Sequence, residues 1–491
     1  MKNKSITVNY IMNIVLTMSS FLFPLITFPY AARILQPVGM GKVSFAASLI
    51  SYFSIFAQFG IPIYGIRECA KVRDNRNELS QTALELFLIN LITSISVSAL
   101  FIISIFIVPK LQQEKPLYMI MGISLLLNAI GMEWLYKALE EYTYIAIRSI
   151  AFKLIACVLL FSVVATESDY VIYGFLTIFA ASASNIWNAV NVRKYIHLKF
   201  QRKPQLVRHC KSALVFAAMS FSTTIYINLD IVMLGFIKSD SEVGYYDAAV
   251  KIKKVLVSAI TALGSVLLPR AAFLLKTDKT DSFFRLNSKA VKYVITASVP
   301  LMLYFTMFAR ECIFLLCGSS YDKAVFPMRI IMPTVLLIGM SNVTGIQMLV
   351  SFGKEKAVLL SEICGAIVDL ILNALLIPKH GAMGAAVGTT VAEILVLVIQ
   401  CFALKDTVGM LFIDMELKKV LTASGLALLP IWFMKFVLSG FVLLSCSSAL
   451  YFILYIAILM AEKDEMAVLL RKELKRICPR NKWRIKCEKK R

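Results

Sequence analysis

Fourteen mostly apolar runs divide this chain, at 10–32, 39–62, 82–108, 116–139, 143–165, 170–192, 213–236, 243–268, 290–309, 324–351, 357–377, 382–404, 418–439 and 441–461. A helix that crosses a bilayer needs ~20 such residues. The expected fold is therefore an all-α integral membrane protein with about 14 transmembrane helices. Two of the runs, 39–62 and 243–268, carry lysines. Composition agrees: 59% of residues are apolar and 17% charged, against a usual ~25% charged in soluble proteins. That excludes a large soluble enzyme, a disordered chain and a disulfide-rich secreted domain. The first run is longer than a signal-peptide core, and further spans follow directly, so it reads as a retained helix.

Lysine and arginine give the orientation. With the N-terminus in the cytoplasm, alternate loops hold 35 basic residues on the cytoplasmic side and 7 outside, and ten lie within spans. A span missed in mid-chain would invert this alternation halfway, and it does not invert. Basic cytoplasmic loops thus account for the net charge of +22 without nucleic acid. The ten cysteines are scattered and form no Cys-x-x-Cys pair, so they read as small apolar fillers rather than metal ligands or disulfides.

Placing residue i on i+203 aligns Gly41 with Gly244, Ala46 with Ala249 and Leu49 with Ile252. Span one then overlays span seven, which is the duplication common in secondary transporters. The expected division is a six-helix lobe over 1–192, a basic cytoplasmic linker over 193–212, a second six-helix lobe over 213–404, two extra helices over 405–461 and a basic tail over 462–491. In the tail, Met466, Leu469, Leu470, Leu474 and Ile477 recur at helical spacing among basic residues. That pattern fits an interfacial helix on an anionic leaflet, or a solvated basic tail.

No Walker, Gly-x-Ser-x-Gly or His-Glu-x-x-His motif is present, and the three histidines are expected in loops. The chain is expected to be no enzyme and to use no cofactor or metal. Ionisable groups within spans carry the information, since each costs ~2.5–3.5 kcal/mol at the bilayer centre. The N-terminal half has Lys42, Glu133, Lys137, Arg148 and Lys153. The C-terminal half has Asp230, Asp247, Lys251, Lys253, Lys254, Lys292, Arg329, Glu362, Asp369, Glu393 and Lys435. Asp247, Lys251 and Lys254 share a helix face, and Glu133 and Lys137 stand at i, i+4. Some of these side chains can equally snorkel from helix ends. Pro24 and Pro29 are expected to interrupt span one. Pro333 should interrupt span ten, near Asn342, Thr344 and Gln347. Gly381, Gly384 and Gly388 permit close helix contact.

Four stretches carry a family resemblance: FPLITFPYAARILQPVGMGKVSFAASLISYFSIFAQFGIPIYGIRECAK (23–71), WLYKALEEYTYIAIRSIAFKL (134–154), INLDIVMLGF with EVGYYDAAVKI (227–252) and GAMGAAVGTTVAEILVLVIQ (381–400). They resemble the oligosaccharide flippases of the MOP superfamily, the group that includes O-antigen and capsule flippases. Gln36 departs from the pattern, because the family usually has glycine there. The resemblance implies two six-helix lobes in a V plus two C-terminal helices. It also implies a cationic cavity for the pyrophosphate and sugars of an undecaprenyl-linked repeat unit, and coupling to an ion gradient. Arg33 matches the arginine that ends the family's first helix, and Arg148 and Lys153 match basic positions in the fifth. The expected substrate-binding set is Arg33, Lys42, Arg148, Lys153, Lys251 and Lys254. The expected coupling or gating set is Glu133, Asp230, Asp247 and Asp369. The partners implied are the undecaprenyl-pyrophosphate-linked oligosaccharide, membrane lipids and the polysaccharide polymerase machinery. The location implied is the bacterial cytoplasmic membrane.

A drug/cation antiporter of the same superfamily is the competing expectation. It should line its cavity with acids, yet the N-terminal spans hold four bases (Lys42, Lys137, Arg148, Lys153) and one acid, Glu133. That balance favours an anionic substrate. A membrane-embedded polymerase or ligase would carry a long outer loop, and none is long here.

Overall fold

A computed structural model describes residues 6–277, 279–412 and 416–464. The amphipathic pattern at 466–477 lies outside them. The described residues form helices joined by short turns, without strands. Every one of the fourteen apolar runs falls on helix. By length and apolarity, however, ten helices among the described residues qualify as membrane spans, or eleven when the bent pair Ser319–Ile331 and Thr334–Leu349 is taken as one. The difference has physical sources. Val8–Lys71 counts once although it holds 64 residues, about 95 Å of helix against a hydrocarbon core of ~30 Å. The Asp240–Lys276 helix carries Asp240, Glu242, Asp247, Lys251, Lys253 and Lys254 in its first half, while 255–272 holds a single charge, Arg270. The count of fourteen is therefore not confirmed.

The prolines act differently from one another. Helical geometry runs through Pro24 and Pro29, and the break inside Ile6–Gln58 is at Gln36, with φ 57° and ψ 176°. Pro37 disfavours the α region at Gln36 and fits its extended ψ, while the positive φ is a further departure that proline does not impose. Only glycine reaches this φ/ψ region without strain. The position where the sequence lacks the family's glycine is thus the one whose backbone requires one. Gln36 Nε2 donates to the Arg33 carbonyl at 2.7 Å, which partly compensates. At Pro333 the expectation holds: the chain bends by 42° there. A π-helical turn follows over Asn342–Leu349.

The chain forms two compact units. The first holds Met1–Ala248, Leu316–Lys323 and Leu370–Ala385, and the second holds Ala249–Leu315, Ala324–Asp369 and Ala386–Arg491. In the first, Ile61, Tyr64, Leu79, Leu86, Trp134 and Leu135 form part of a buried core. In the second, Tyr304 stacks on Phe308 and on Tyr451 at 4.8 and 5.5 Å. Tyr304 also hydrogen-bonds to the Ser447 hydroxyl at 2.8 Å, so this ladder ties the Gly440–Ala461 helix to Thr280–Met307.

Candidate functional site

The first unit buries a polar seam. A π turn at Phe179–Ala183 interrupts the sixth expected span, followed by the short helix Ser184–Asn191. Such turns shift the hydrogen-bond register and frequently mark functional positions. At this seam the Ser184 carbonyl accepts from Arg148 Nη1 at 3.1 Å. Asn128 Oδ1 accepts from Ser182 Oγ and Asn185 Nδ2, both at 3.1 Å. Asn188 Nδ2 donates to the Gly131 carbonyl at 2.8 Å. Arg148 is 7% exposed, and its Nη2 lies 3.2 Å from Glu133 Oε2. Glu133 also holds Lys137 at 2.8 Å, the i, i+4 pair read from the sequence.

Lys153 lies on the same helix, Tyr142–Val163, but its surroundings are different. Its Nζ donates to the hydroxyls of Ser19 and Ser20 at 3.0 and 2.9 Å. Among the described residues no carboxylate lies within ion-pair distance of it.

A third cluster joins the positions related by the offset of 203. A Cβ on Gly41 would lie 1.7 Å from the Asp240 carbonyl oxygen, and one on Gly244 would lie 2.1 Å from that of Pro37. The two helix starts touch backbone to backbone, which only glycine allows. One turn further in, Ser44 Oγ donates to Asp247 Oδ2 at 2.7 Å, and these two positions are again 203 apart. Ion pairs flank the contact. Lys42 meets Glu114 at 2.5 Å and lies over the Tyr170 ring at 4.4 Å. Lys110 meets Asp240 at 2.6 Å. Nearby in the chain, buried Asp230 accepts from Tyr246 Oη and from Asn373 Nδ2, the latter at 2.6 Å.

The remaining expected residues are placed as follows. Arg33 is exposed just before the Gln36 break. Lys251, Lys254 and buried Asp369 belong to the second unit. In that unit the π turn carries Thr344, whose hydroxyl donates to Gln400 Oε1 at 2.7 Å, and Gln400 Nε2 donates to Ser361 Oγ at 3.2 Å. The structure thus joins Arg148 with Glu133, and sets Lys42 and Asp247 at the contact of the related glycines. Lys153 stands apart from both. Sequence reasoning missed Glu114, Ser44, Tyr246, Asn373, Ser19 and Ser20. Ser44 was findable, since the offset that aligns Gly41 with Gly244 also aligns it with Asp247. Among the described residues no group of three or more His, Cys, Asp or Glu is placed to hold a metal ion.

Long apolar helices broken by π turns, with charges paired inside the bundle, define a multi-pass membrane protein built like a secondary transporter. Its fold is similar to that of solved transporters. It is similar to the structure "Lipid II flippase MurJ, inward closed conformation", with a TM-score of 0.74 at 13% identity over 93% of this chain and all of that one. It is also similar to an inward-facing multidrug resistance MATE family transporter, with a TM-score of 0.59 at 13% identity over 79% of this chain and 95% of that one.

Residues 6–274 match the family described as "Polysaccharide biosynthesis protein", and the chain belongs to that family. A protein of Escherichia coli (strain K12) named "Putative O-antigen transporter" is 26% identical over 384 residues, 77% of this chain and 91% of that one. A Shigella dysenteriae protein of the same name is 24% identical over 79% of this chain and 97% of its own length.

Proposed function

We propose that this protein flips undecaprenyl-pyrophosphate-linked oligosaccharide repeat units across the bacterial cytoplasmic membrane, by alternating access, for the synthesis of a cell-surface polysaccharide such as O-antigen or capsule. The family and the relatives named as O-antigen transporters support the transport of a lipid-linked oligosaccharide. The observation that carries the reading is Lys153, a half-buried cation held by two hydroxyls rather than by a carboxylate.

Moving a pyrophosphate across hydrocarbon is prohibitive unless its charge is offset. A cation already neutralised by a carboxylate offers little attraction, so Lys153 ranks above Lys42 and Arg148 as the head-group contact. Arg33, Lys251 and Lys254 complete the proposed basic set. Within the N-terminal spans, where an organic-cation antiporter would need a free acid, Glu133 is engaged by two cations.

The proposed lobes are 1–192 and 213–404, with the 405–461 helices added and both termini cytoplasmic. The contact of Gly41 with Gly244, capped by Ser44 and Asp247, is then the part that must separate for release on the outer side. Asp230 with Tyr246 and Asn373, together with Asp247, Asp369 and Glu133, form the proposed coupling set. Lipids and the polymerase that receives the product are the proposed partners. Depleting the protein should make lipid-linked repeat units accumulate on the cytoplasmic leaflet. Accumulation on the outer leaflet would instead place the defect after flipping.

A further inference from the structure

Between the 3-10 turn Val192–Lys194 and the helix that begins at Val207, the chain has no regular structure. Its side chains over 197–205 are exposed. By composition this is a basic, solvated tether, but its backbone is fastened. Buried backbone donors outside helices must find partners, and here one face of a single helix supplies them. On the Arg76–Ile107 helix, Ser80 Oγ accepts from the His197 amide at 2.9 Å. Gln81 Oε1 accepts from the amides of Gln201 and Arg202 at 2.9 and 3.2 Å. Glu85 Oε1 accepts from the Gln205 amide at 3.0 Å. Arg76 Nη2 donates to the Lys194 carbonyl at 3.2 Å.

Glu85 is the centre of this arrangement. It is 1% exposed, and its Oε2 takes Arg208 Nη2 at 2.6 Å and His209 Nε2 at 3.0 Å. The other ring nitrogen of His209 bonds the Tyr64 hydroxyl at 2.8 Å. A charge-assisted bond to a buried carboxylate is a strong one, and a carboxylate this deep depends on such partners. A cavity of about 260 Å³ opens beside Gln81 and Glu85, bounded by Arg202, Lys203, Gln205 and Arg208. Ile196 and Leu206 anchor the two ends of the segment in the apolar core, and between them, beside this cavity, the polar contacts hold it.

We infer that residues 193–209 are a strap locked onto the N-terminal helices by Glu85, and that they move with those helices as one body. The flexible joint that the composition would put at 193–212 then lies elsewhere. This inference does not rest on the transport reading, because its test reads no transport.

The test is trypsin applied to the full-length protein from the cytoplasmic side, with cleavage followed after Lys199 and Arg202. The bond after Lys203 precedes Pro204 and resists trypsin. Exposed loop tips are normally the first places nicked, and cleavage of a fastened segment requires local release. Wild type should be cut at least about a hundredfold slower than the SDS-denatured chain. Glu85→Gln should raise the native rate at least about tenfold, and Gln81→Ala should raise it by a smaller factor. Because Gln81→Ala leaves the buried ion pairs intact, it decides the matter if Glu85→Gln fails to fold. Wild-type cleavage within about threefold of the denatured rate would show a loose tether and overturn the inference. Wild-type rates in both variants would overturn the lock.

Discussion

Arg148 and Lys153 are five residues apart on one helix, yet their surroundings differ in kind. Five residues at 3.6 per turn put them about 140° apart. Arg148 enters a polar seam, where a carbonyl and a carboxylate take its guanidinium. Lys153 faces two serines on the Ile6–Gln58 helix. Both read alike from the sequence, as cations within a span. The difference teaches that charge in a span does not by itself make a ligand contact. The counter-charge decides whether a cation fastens the bundle or remains available to an anion.

The largest expected effect on stability comes from breaking the Arg148 side of this comparison. Arg148→Ala should destabilise the protein by about 2–3 kcal/mol, below the 3–5 of a fully buried pair because Glu133 is partly exposed and keeps Lys137. Thermal unfolding in detergent would show a lower midpoint, whereas an unchanged midpoint would remove Arg148 from the structural role. Gln36→Gly should act in the opposite direction. It relieves a backbone that only glycine adopts freely and gives up one side-chain bond to Arg33, for a net gain of about 1 kcal/mol. A fall in midpoint would show that the Gln36 bond matters more than the strain.

A double-mutant cycle on Lys42 and Glu114 should give a coupling of about 0.5–1 kcal/mol, as expected for a pair with both side chains roughly a fifth exposed. A coupling near zero would return Lys42 to the available cations. The smallest effect is expected at Lys153. Lys153→Ala should leave the unfolding midpoint within about 0.5 kcal/mol of wild type, since it removes two hydroxyl contacts and no ion pair.

Much of the fold was legible because hydrophobic runs are properties of segments, and segments survive errors at single residues. All fourteen runs fall on helix. Single-residue geometry was less accessible. Pro24 and Pro29 were expected to break the first helix. Neither does, because a membrane helix can leave the carbonyl four residues before a proline without its donor and still run on, and the break falls instead at Gln36, before Pro37. The i, i+4 pairing of Glu133 with Lys137 was readable since both ends lie on one helix. The partners of Lys42 and Lys153 were not, because Glu114 and the Ser19–Ser20 pair lie 72 and 133–134 residues away in the chain. Among these long-range contacts Ser44 with Asp247 differs, because the two stand at the same offset of 203 that aligns Gly41 with Gly244.

The central claim is that Lys153 is the cation available to the pyrophosphate. Its most direct test is flipping of an undecaprenyl-pyrophosphate-linked oligosaccharide by the purified protein in proteoliposomes, with Lys153→Ala and Lys153→Arg beside wild type. The account predicts at least about a tenfold loss for alanine and partial recovery for arginine, at equal reconstitution and equal thermal midpoint. Wild-type flipping by the alanine variant would contradict it.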